Sequence, residues 1–152
     1  MAKLKIVKVG DDVLRQKCRR VDAITPRVIR LLDDMVETMR QANGCGLAAP
    51  QVGILRRICV VEVDDKVYQM INPEIIHTEG EQRETEGCLS VPGRWGITKR
   101  PEKVTVKYYD RNGKETVVEG TGLLARAFCH EIDHLDGVLF IDHAVEMLEE
   151  DK

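Results

Sequence analysis

The run HEIDH at residues 130–134 constrains the fold more than any other part of the chain. It lies in a stretch from Leu123 to Leu135 whose apolar residues recur at helical spacing, which predicts a helix. Within a helix, His130 and His134 lie one turn apart on the same face. Because apolar residues surround both histidines, this helix is expected to be buried, with the rest of the chain packed around it.

The same run predicts a metal centre. Two imidazole nitrogens that converge on one point can bind a divalent cation, and in this pattern Glu131 is not a ligand but moves a proton. A single histidine on an apolar helix face is more often a core residue with a hydrogen-bond partner. The prediction therefore depends on the pair and its spacing, which are typical of metal hydrolases and indicate an enzyme.

A third protein ligand is needed, and the sequence after the helix offers no good candidate. In one class of zinc peptidases the third ligand follows a glycine, and Gly137 fits that pattern. Phe140 then occupies the ligand position, and phenylalanine cannot bind a metal. His143 and Glu146 remain, but few residues follow that could hold them in place. The third ligand is therefore expected upstream of the helix.

Composition predicts one globular domain over residues 1–152, in the cytoplasm. The chain is 43% hydrophobic and 32% charged, which is typical of a soluble domain with a hydrophobic core. With 23 basic and 26 acidic side chains the net charge is −3, so no general basic field favours nucleic acid or an anionic membrane. No segment suggests a signal peptide or a membrane span. Five cysteines without CxxC spacing argue against a disulfide framework.

Hydrophobic periodicity predicts an N-terminal amphipathic helix followed by strands. The helix begins at Thr25-Pro26 and ends at Asn43-Gly44. Strands are expected at 58–63, 67–71, 104–109 and 115–118. Asp64-Asp65 is the expected turn of the first pair, and Asn112-Gly113 that of the second.

The end of the chain is predicted to be helical. Thr121 is a candidate N-cap of the HEIDH helix, and Gly137 is its expected end. Residues 140–147 are expected to form a short helix that leads into the acidic residues 149–151. The predicted fold is α+β: antiparallel or mixed β-sheets around a central HExxH helix, with an N-terminal amphipathic helix and a short C-terminal helix.

Three motifs together resemble those of the peptide deformylases. They are GCGLAAPQVG at 44–53, EGCLS at 86–90 and HEIDH at 130–134, in that family's order and at similar separations. GCGLAAPQVG alone would indicate only a helix stop and a turn, and EGCLS alone is equally weak. Three independent motifs are much more specific, and the resemblance covers nearly the whole chain.

The resemblance implies that the second motif completes the metal site. Cys88, His130 and His134 would bind the cation, and Glu131 would be the general acid/base. Ferrous iron is the implied cation, although zinc, nickel or cobalt also suit one thiolate and two imidazoles. The cation would lower the pKa of its bound water toward about 7, and the hydroxide would attack the substrate carbonyl.

The resemblance also implies the substrate and its contacts. Gln51 and the Leu89 backbone N–H would stabilise the oxyanion, whereas Gly44, Cys45 and Gly46 would bind the substrate. The implied reaction removes the N-formyl group from the N-terminal methionine of newly made proteins and releases formate. The implied partners are formylmethionyl nascent peptides, with transient ribosome contact left open and neither nucleic-acid specificity nor a membrane expected.

Two alternatives remain open from the sequence. One is another HExxH metallo-amidase or peptidase that cuts internal bonds, which Phe140 and Cys88 disfavour. The other is a non-catalytic metal-binding relative, which the presence of both Glu131 and Gln51 disfavours. Cys129 lies directly before the first histidine of HEIDH, but its position around the helix predicts that it faces away from the metal.

Overall fold

The computed structural model describes residues 3–149, and this part of the chain forms two α-helices and eight β-strands. The strands are β1 (Gly46–Ala48), β2 (Ile58–Val63), β3 (Lys66–Glu79), β4 (Gln82–Cys88), β5 (Val91–Arg100), β6 (Lys103–Tyr109), β7 (Glu115–Thr121) and β8 (Glu146–Glu149). They form two antiparallel sheets, in the orders β1-β2-β3-β6-β7 and β4-β5-β8. The predicted α+β class is confirmed. The predicted acidic residues Glu150 and Asp151 lie outside the described residues.

The first helix, α1 (Pro26–Gln41), begins where the sequence predicts it. The Thr25 side chain caps it by accepting a hydrogen bond from the backbone N–H three residues on, and a proline occupies the first turn. The helix ends just before Asn43, whose φ of +58° turns the chain. Met35 and Met39 are fully buried and belong to the core cluster shared with β1 and β2, so they are core residues as expected.

The first sheet contains the predicted strand pairs, with longer strands. Asp64 and Asp65 form the turn between β2 and β3 in left-handed conformations, at φ +54° and +63°. β3 continues past its predicted end at Ile71. The strand register shifts after Ile71, where Asn72 has a φ of +52°, and pairing with β6 resumes at Glu74. The irregularity bends the strand without ending it.

The sequence placed the N-cap of the second helix, α2 (Leu123–Leu135), one residue too early. Thr121 pairs with Lys103 as the last residue of β7, so its backbone remains in the strand. Gly122 is the N-cap, with φ +57° and no side chain to cap the helix. Its N–H donates instead to the Glu102 carbonyl at 3.0 Å. The strand-to-helix reversal requires the positive φ that glycine adopts easily.

The predicted short C-terminal helix over 140–147 is wrong. Only Phe140–Asp142 form a 3-10 turn, and β8 follows as a strand along β5. Phe140 is buried, and the Val145 N–H donates to the Ile97 carbonyl at 2.8 Å, which starts the strand pairing. A helix this short is only marginally stable in water, so pairing with the free edge of β5 prevails.

The central helix α2 packs between the two sheets, as predicted. Its Phe128 is fully buried and makes an edge-to-face contact with Tyr68 of β3, with ring centroids 5.2 Å apart. Gly137 follows the helix with φ +75°, and a Cβ there would overlap the Arg15 carbonyl. The predicted helix end is therefore confirmed, and the packing of α2 fixes the positions of His130 and His134.

Candidate metal centre

Three side chains from two elements meet at one point. Cys88 is the last residue of β4, and His130 and His134 lie on one face of α2. The Cys88 sulfur and one ring nitrogen of each histidine lie within 4.8 Å of one another. The Cys88 Sγ is 3.4 Å from His134 Nε2, which is 3.3 Å from His130 Nε2. The upstream ligand candidate and the HEIDH histidines are therefore brought together.

These separations fit a tetrahedral cation. Bonds of about 2.0–2.1 Å to nitrogen and about 2.3 Å to sulfur place two nitrogens about 3.3 Å apart, and sulfur and nitrogen about 3.5 Å apart. Burial and the neighbouring His130 lower the pKa of His134 well below its usual value, so its imidazole is neutral, as a ligand must be. The donor set of one sulfur and two nitrogens leaves a fourth position for water or substrate.

The Glu131 carboxylate lies beside this cluster without belonging to it. Its Oε2 is 4.0 Å from His130 Nε2, and its Oε1 is buried without a hydrogen-bond partner among the described residues. Burial raises the pKa of Glu131 to about 7. Gly46 lies directly against this carboxylate, and a Cβ there would overlap Oε2. A carboxyl with this pKa can both accept and donate a proton near neutral pH.

A cavity of about 570 Å³ opens in front of the cluster. All of the site residues predicted from the sequence line it except His134, which is fully buried. Gly44 packs against Leu89, and a Cβ at Gly44 would lie only 2.7 Å from Leu89 Cδ1. Two glycines therefore permit close packing, one against Leu89 and the other against the acid/base candidate.

Comparison with known proteins identifies the family. The sequence profile of polypeptide deformylase matches residues 3–150. The chain belongs to the polypeptide deformylase family. A peptide deformylase of Thermoanaerobacter pseudethanolicus is 53% identical over 152 residues, which covers 100% of this chain and 96% of the relative. One of Acetivibrio thermocellus is 54% identical over 143 residues, which covers 94% of this chain and 84% of the relative.

Solved deformylase structures share the fold. The crystal structure of peptide deformylase from Thermotoga maritima matches with a TM-score of 0.92 and 38% identity, over 95% of this chain and 99% of that chain. The enzyme from Synechococcus elongatus, in complex with actinonin, matches with a TM-score of 0.91 and 44% identity, over 95% and 81%. The deformylase resemblance predicted from three motifs is therefore confirmed, and the chain is an enzyme of a metal-dependent family.

A buried ionic network lies behind the cluster of Cys88, His130 and His134. The Glu86 carboxylate is almost fully buried, and its Oε2 accepts a hydrogen bond from His130 Nδ1. Arg100 donates to both oxygens of Glu86, at 3.2 and 2.8 Å, and Arg126 donates to Oε1 at 2.8 Å. Thr98 donates to the same Oε1 at 2.8 Å. Burial alone would raise the pKa of Glu86, but the hydrogen bonds from His130 and Arg100 outweigh burial and hold this pKa well below its usual value.

Sequence reasoning missed this network, although signals for it were present. Glu86 belongs to the EGCLS motif, and Arg126 stands four residues before His130 on the buried side of a helix, where an arginine is rare unless paired. Arg100 belongs to this network and contacts Glu86 rather than the three clustered side chains. It also donates to Asp133 at 2.6 Å, so it bridges β5 and α2.

The remaining predicted residues also have defined positions. Gln51 is buried, with its Oε1 accepting from the Ala48 N–H at 2.9 Å and its Nε2 donating to Ser90 Oγ at 3.1 Å and Cys88 Sγ at 3.6 Å. Cys129 packs in the core, where burial raises its pKa to about 11, and it lies outside the metal-ligand cluster as its helix position predicts. Within residues 3–149 no helix has the length and apolar character needed to cross a membrane.

Proposed function

We propose that Cys88, His130 and His134 hold the divalent cation of this peptide deformylase and that Glu131 is its general acid/base. The family reaction removes the formyl group from N-formylated nascent peptides. One observation carries the assignment of residues: three potential ligand atoms within 4.8 Å of one another lie beside a buried carboxylate that is not one of them. The same observation disfavours a non-catalytic relative, which would have no use for Glu131.

The proton steps follow from the position and pKa of Glu131. A cation held by Cys88, His130 and His134 would supply a Lewis acid and would lower the pKa of a bound water toward about 7. Glu131 accepts a proton from the attacking water, since its own pKa of about 7 suits transfer near neutral pH. It then donates that proton to the methionine nitrogen, because an amide nitrogen leaves poorly unless it is protonated. The products are formate and a free N-terminal amine.

Gln51 and the Leu89 backbone N–H are the proposed oxyanion donors. Gln51 is held by hydrogen bonds at both ends of its amide, so its orientation is set before substrate binds. Such fixed donors are typically worth about 3 kcal/mol each in transition-state stabilisation. Leu89 follows the proposed ligand Cys88 directly and lines the same cavity, which supports the role proposed for its backbone N–H.

Two free strand edges flank the proposed substrate path. β1 is the end strand of the first sheet and β4 that of the second, and Gly44, Cys45 and Gly46 line the cavity beside β1. A nascent peptide can add to such an edge as an extra strand, through backbone hydrogen bonds that do not depend on its sequence. This supports binding of varied formylmethionyl chains through one common mode.

Ferrous iron is the proposed native cation. Residues 1–152 are proposed to form a single catalytic domain that works in the cytoplasm. A thiolate ligand with two imidazoles suits iron as well as zinc, nickel or cobalt, and an unprotected thiolate is stable in a reducing compartment. Any ribosome contact is proposed to be transient. Neither nucleic-acid specificity nor membrane association is part of the proposal.

Formate release from formyl-Met-Ala-Ser tests this function directly. Protein prepared without oxygen and loaded with iron is assayed beside two controls, acetyl-Met-Ala-Ser and a peptidase substrate with an internal scissile bond. We expect rapid formate release that a chelator abolishes, with both controls unreacted. Bound cation without formate release would contradict the assigned reaction, and cleavage of the internal bond would favour the peptidase alternative.

A further inference from the structure

The two proposed oxyanion donors belong to different sheets. Gln51 lies in the 3-10 turn Ala49–Val52, which follows β1 of the first sheet. Leu89 lies in the turn between β4 and β5 of the second sheet. Within residues 3–149 the two sheets have no strand in common. Catalytic groups must keep their geometry to within about 0.5 Å, so donors on separate sheets require a link between them.

Residues 7–9 supply such a link. The Val7 N–H donates to the Gln51 carbonyl at 2.7 Å, and the Val9 N–H donates to the Ser90 carbonyl at 2.7 Å. Two residues of chain span at most about 7 Å, so this segment limits how far the two carbonyl groups can separate. The Gln51 side chain uses the same partner, because its Nε2 donates to the Oγ of the fully buried Ser90 at 3.1 Å.

Lys8 adds a third contact from the same segment. Its Nζ donates to the Leu89 carbonyl at 3.2 Å, and its side chain lines the catalytic cavity. The other end of that peptide group, the Ser90 N–H, donates to the Cys88 sulfur at 3.4 Å. A peptide group that is hydrogen-bonded at both ends has a defined orientation. The adjoining peptide group carries the proposed donor, the Leu89 N–H, so its position is constrained as well.

The segment is anchored at its downstream end. Leu14 is buried in a core cluster against which Val7 also packs. Further along the chain, the Cys18 N–H donates to the Leu135 carbonyl at 2.8 Å, at the end of α2. Residues near a chain terminus keep a fixed position only when they are tied down in this way. Residues 7–18 therefore connect the proposed oxyanion donors to the helix that carries both proposed histidine ligands.

We propose that residues 7–9 are a positioning segment of the oxyanion site, which keeps the Gln51 and Leu89 donors at a fixed separation. This inference rests on the proposed function and specifies how its two donors are held in place. The segment acts through groups that bind the developing oxyanion. Its loss should therefore lower kcat, with little change in KM or in cation content.

Two substitutions in the segment test the proposal. Val9→Pro deletes the N–H that donates to Ser90. Lys5→Pro is its matched control, because the described part of the chain offers the Lys5 N–H no hydrogen-bond partner. Lys8→Met removes the ammonium but keeps the length of the side chain, with Lys5→Met as control. Formate release from formyl-Met-Ala-Ser-NH2, which has no carboxylate for a lysine to bind, gives kcat and KM. Cation content and the thermal midpoint are measured in parallel.

We expect Val9→Pro to lower kcat by about a hundredfold, because a shift of about 1 Å in catalytic groups has an effect of that size. Lys8→Met should lower kcat by about two- to fivefold, since exposed charges contribute little. Both control variants should match the wild type. Equal kcat for Val9→Pro and Lys5→Pro would overturn the proposal, and so would loss of the cation from Val9→Pro. Failure of the wild type to release formate would instead contradict the proposed function.

A Gln51→Ala background separates positioning from a general effect on the fold. This change alone should lower kcat by about a hundred- to a thousandfold. Adding Val9→Pro should then lower kcat by about tenfold or less, because one of the two donors that the segment positions is already gone. A hundredfold loss in both backgrounds would show that the segment does not act through Gln51 and would overturn the proposal.

Hydrogen exchange tests the segment without turnover, and does so even if Val9→Pro does not fold. In wild-type protein labelled with nitrogen-15 and loaded with zinc, the Val7 and Val9 amide protons should exchange at least about tenfold more slowly than that of Lys5. Exchange as fast as at Lys5 would show that the two hydrogen bonds do not hold the segment in solution. The positioning role would then be excluded.

Discussion

The two sides of the proposed metal centre differ in how their polar atoms are satisfied. Behind the centre, His130 Nδ1 donates to Glu86, which also accepts hydrogen bonds from Arg100 and Arg126. In front, Glu131 Oε1 is buried without a partner among the described residues. Hydrogen-bonded groups keep a fixed geometry, whereas a carboxylate with a free oxygen can take part in proton transfer. The rear side positions the ligands, and the front side is left available for chemistry.

The rear network also balances its own charge. The carboxylates of Glu86 and Asp133 face the guanidinium groups of Arg100 and Arg126, so two negative charges meet two positive ones in a buried region. Isolated buried charges cost several kcal/mol each, which explains why these groups occur together. The network therefore adds no net charge behind the proposed metal centre while its Glu86 carboxylate orients the His130 ring.

The largest effect is expected when the proposed ligand Cys88 is removed. Cys88→Ala eliminates the thiolate, and elemental analysis should show the cation content falling from about one per chain to near zero, with loss of turnover. Cys129→Ala is the matched control. Cys129 is buried in the core outside the cluster, so this variant should keep its cation. A Cys88→Ala protein with full cation content would exclude Cys88 as a ligand.

Glu131→Gln should separate chemistry from cation binding. The amide keeps the shape of the side chain but cannot take the proton, so turnover should fall by about a thousandfold while the cation content stays unchanged. Parallel measurements of kcat and of bound cation distinguish a loss of proton transfer from a loss of the cation. Activity within tenfold of the wild type would remove Glu131 as the acid/base.

A change behind His130 should have a smaller effect. Glu86→Gln removes the charge that orients the imidazole, and such partners typically contribute about 10- to 100-fold to metal affinity. Competition with a chelator measures that affinity. Glu84→Gln makes the same replacement at an exposed position of the same strand and should leave it unchanged. Equal affinities for the two variants would show that the rear network does not position His130.

The smallest effect is expected for Arg126→Lys. Lysine keeps the positive charge but loses the guanidinium geometry, and Arg100 still holds the Glu86 carboxylate. Cation affinity should fall by about two- to tenfold, the worth of one or two hydrogen bonds. The same chelator competition measures it. A loss of cation affinity as large as that of Glu86→Gln would mean that Arg126 alone, and not Arg100 and Arg126 together, holds the Glu86 carboxylate in place.

Local patterns predicted the parts of the fold that depend on local interactions. The helix start at Thr25-Pro26, the turn at Asp64-Asp65 and the helical phase of His130 and His134 all follow from short-range rules, and each is confirmed. The strand at Glu146–Glu149 was mistaken for helix because its pairing partner, β5, lies about fifty residues earlier in the chain. Periodicity within one segment carries no information about such a partner.

In the candidate site, too, the sequence predicted the features that depend on local spacing and missed those that depend on packing. The HExxH spacing specifies two ligands by itself, and the third came from likeness to a family rather than from local rules. The network of Glu86 with Arg100 and Arg126 joins two strands and a helix, so it emerges only once those elements are packed. The glutamate of the EGCLS motif and the arginine on a buried helix face were the signals for it in the sequence.

X-ray absorption at the metal edge tests the central assignment most directly. The protein is loaded with iron, and separately with zinc, and the first coordination shell is fitted for donor type and distance. We predict one sulfur at about 2.3 Å with nitrogen or oxygen donors at about 2.0–2.1 Å, two of them showing the outer-shell scattering of imidazole. A shell without sulfur, or with a single imidazole, would contradict the proposed centre of Cys88, His130 and His134.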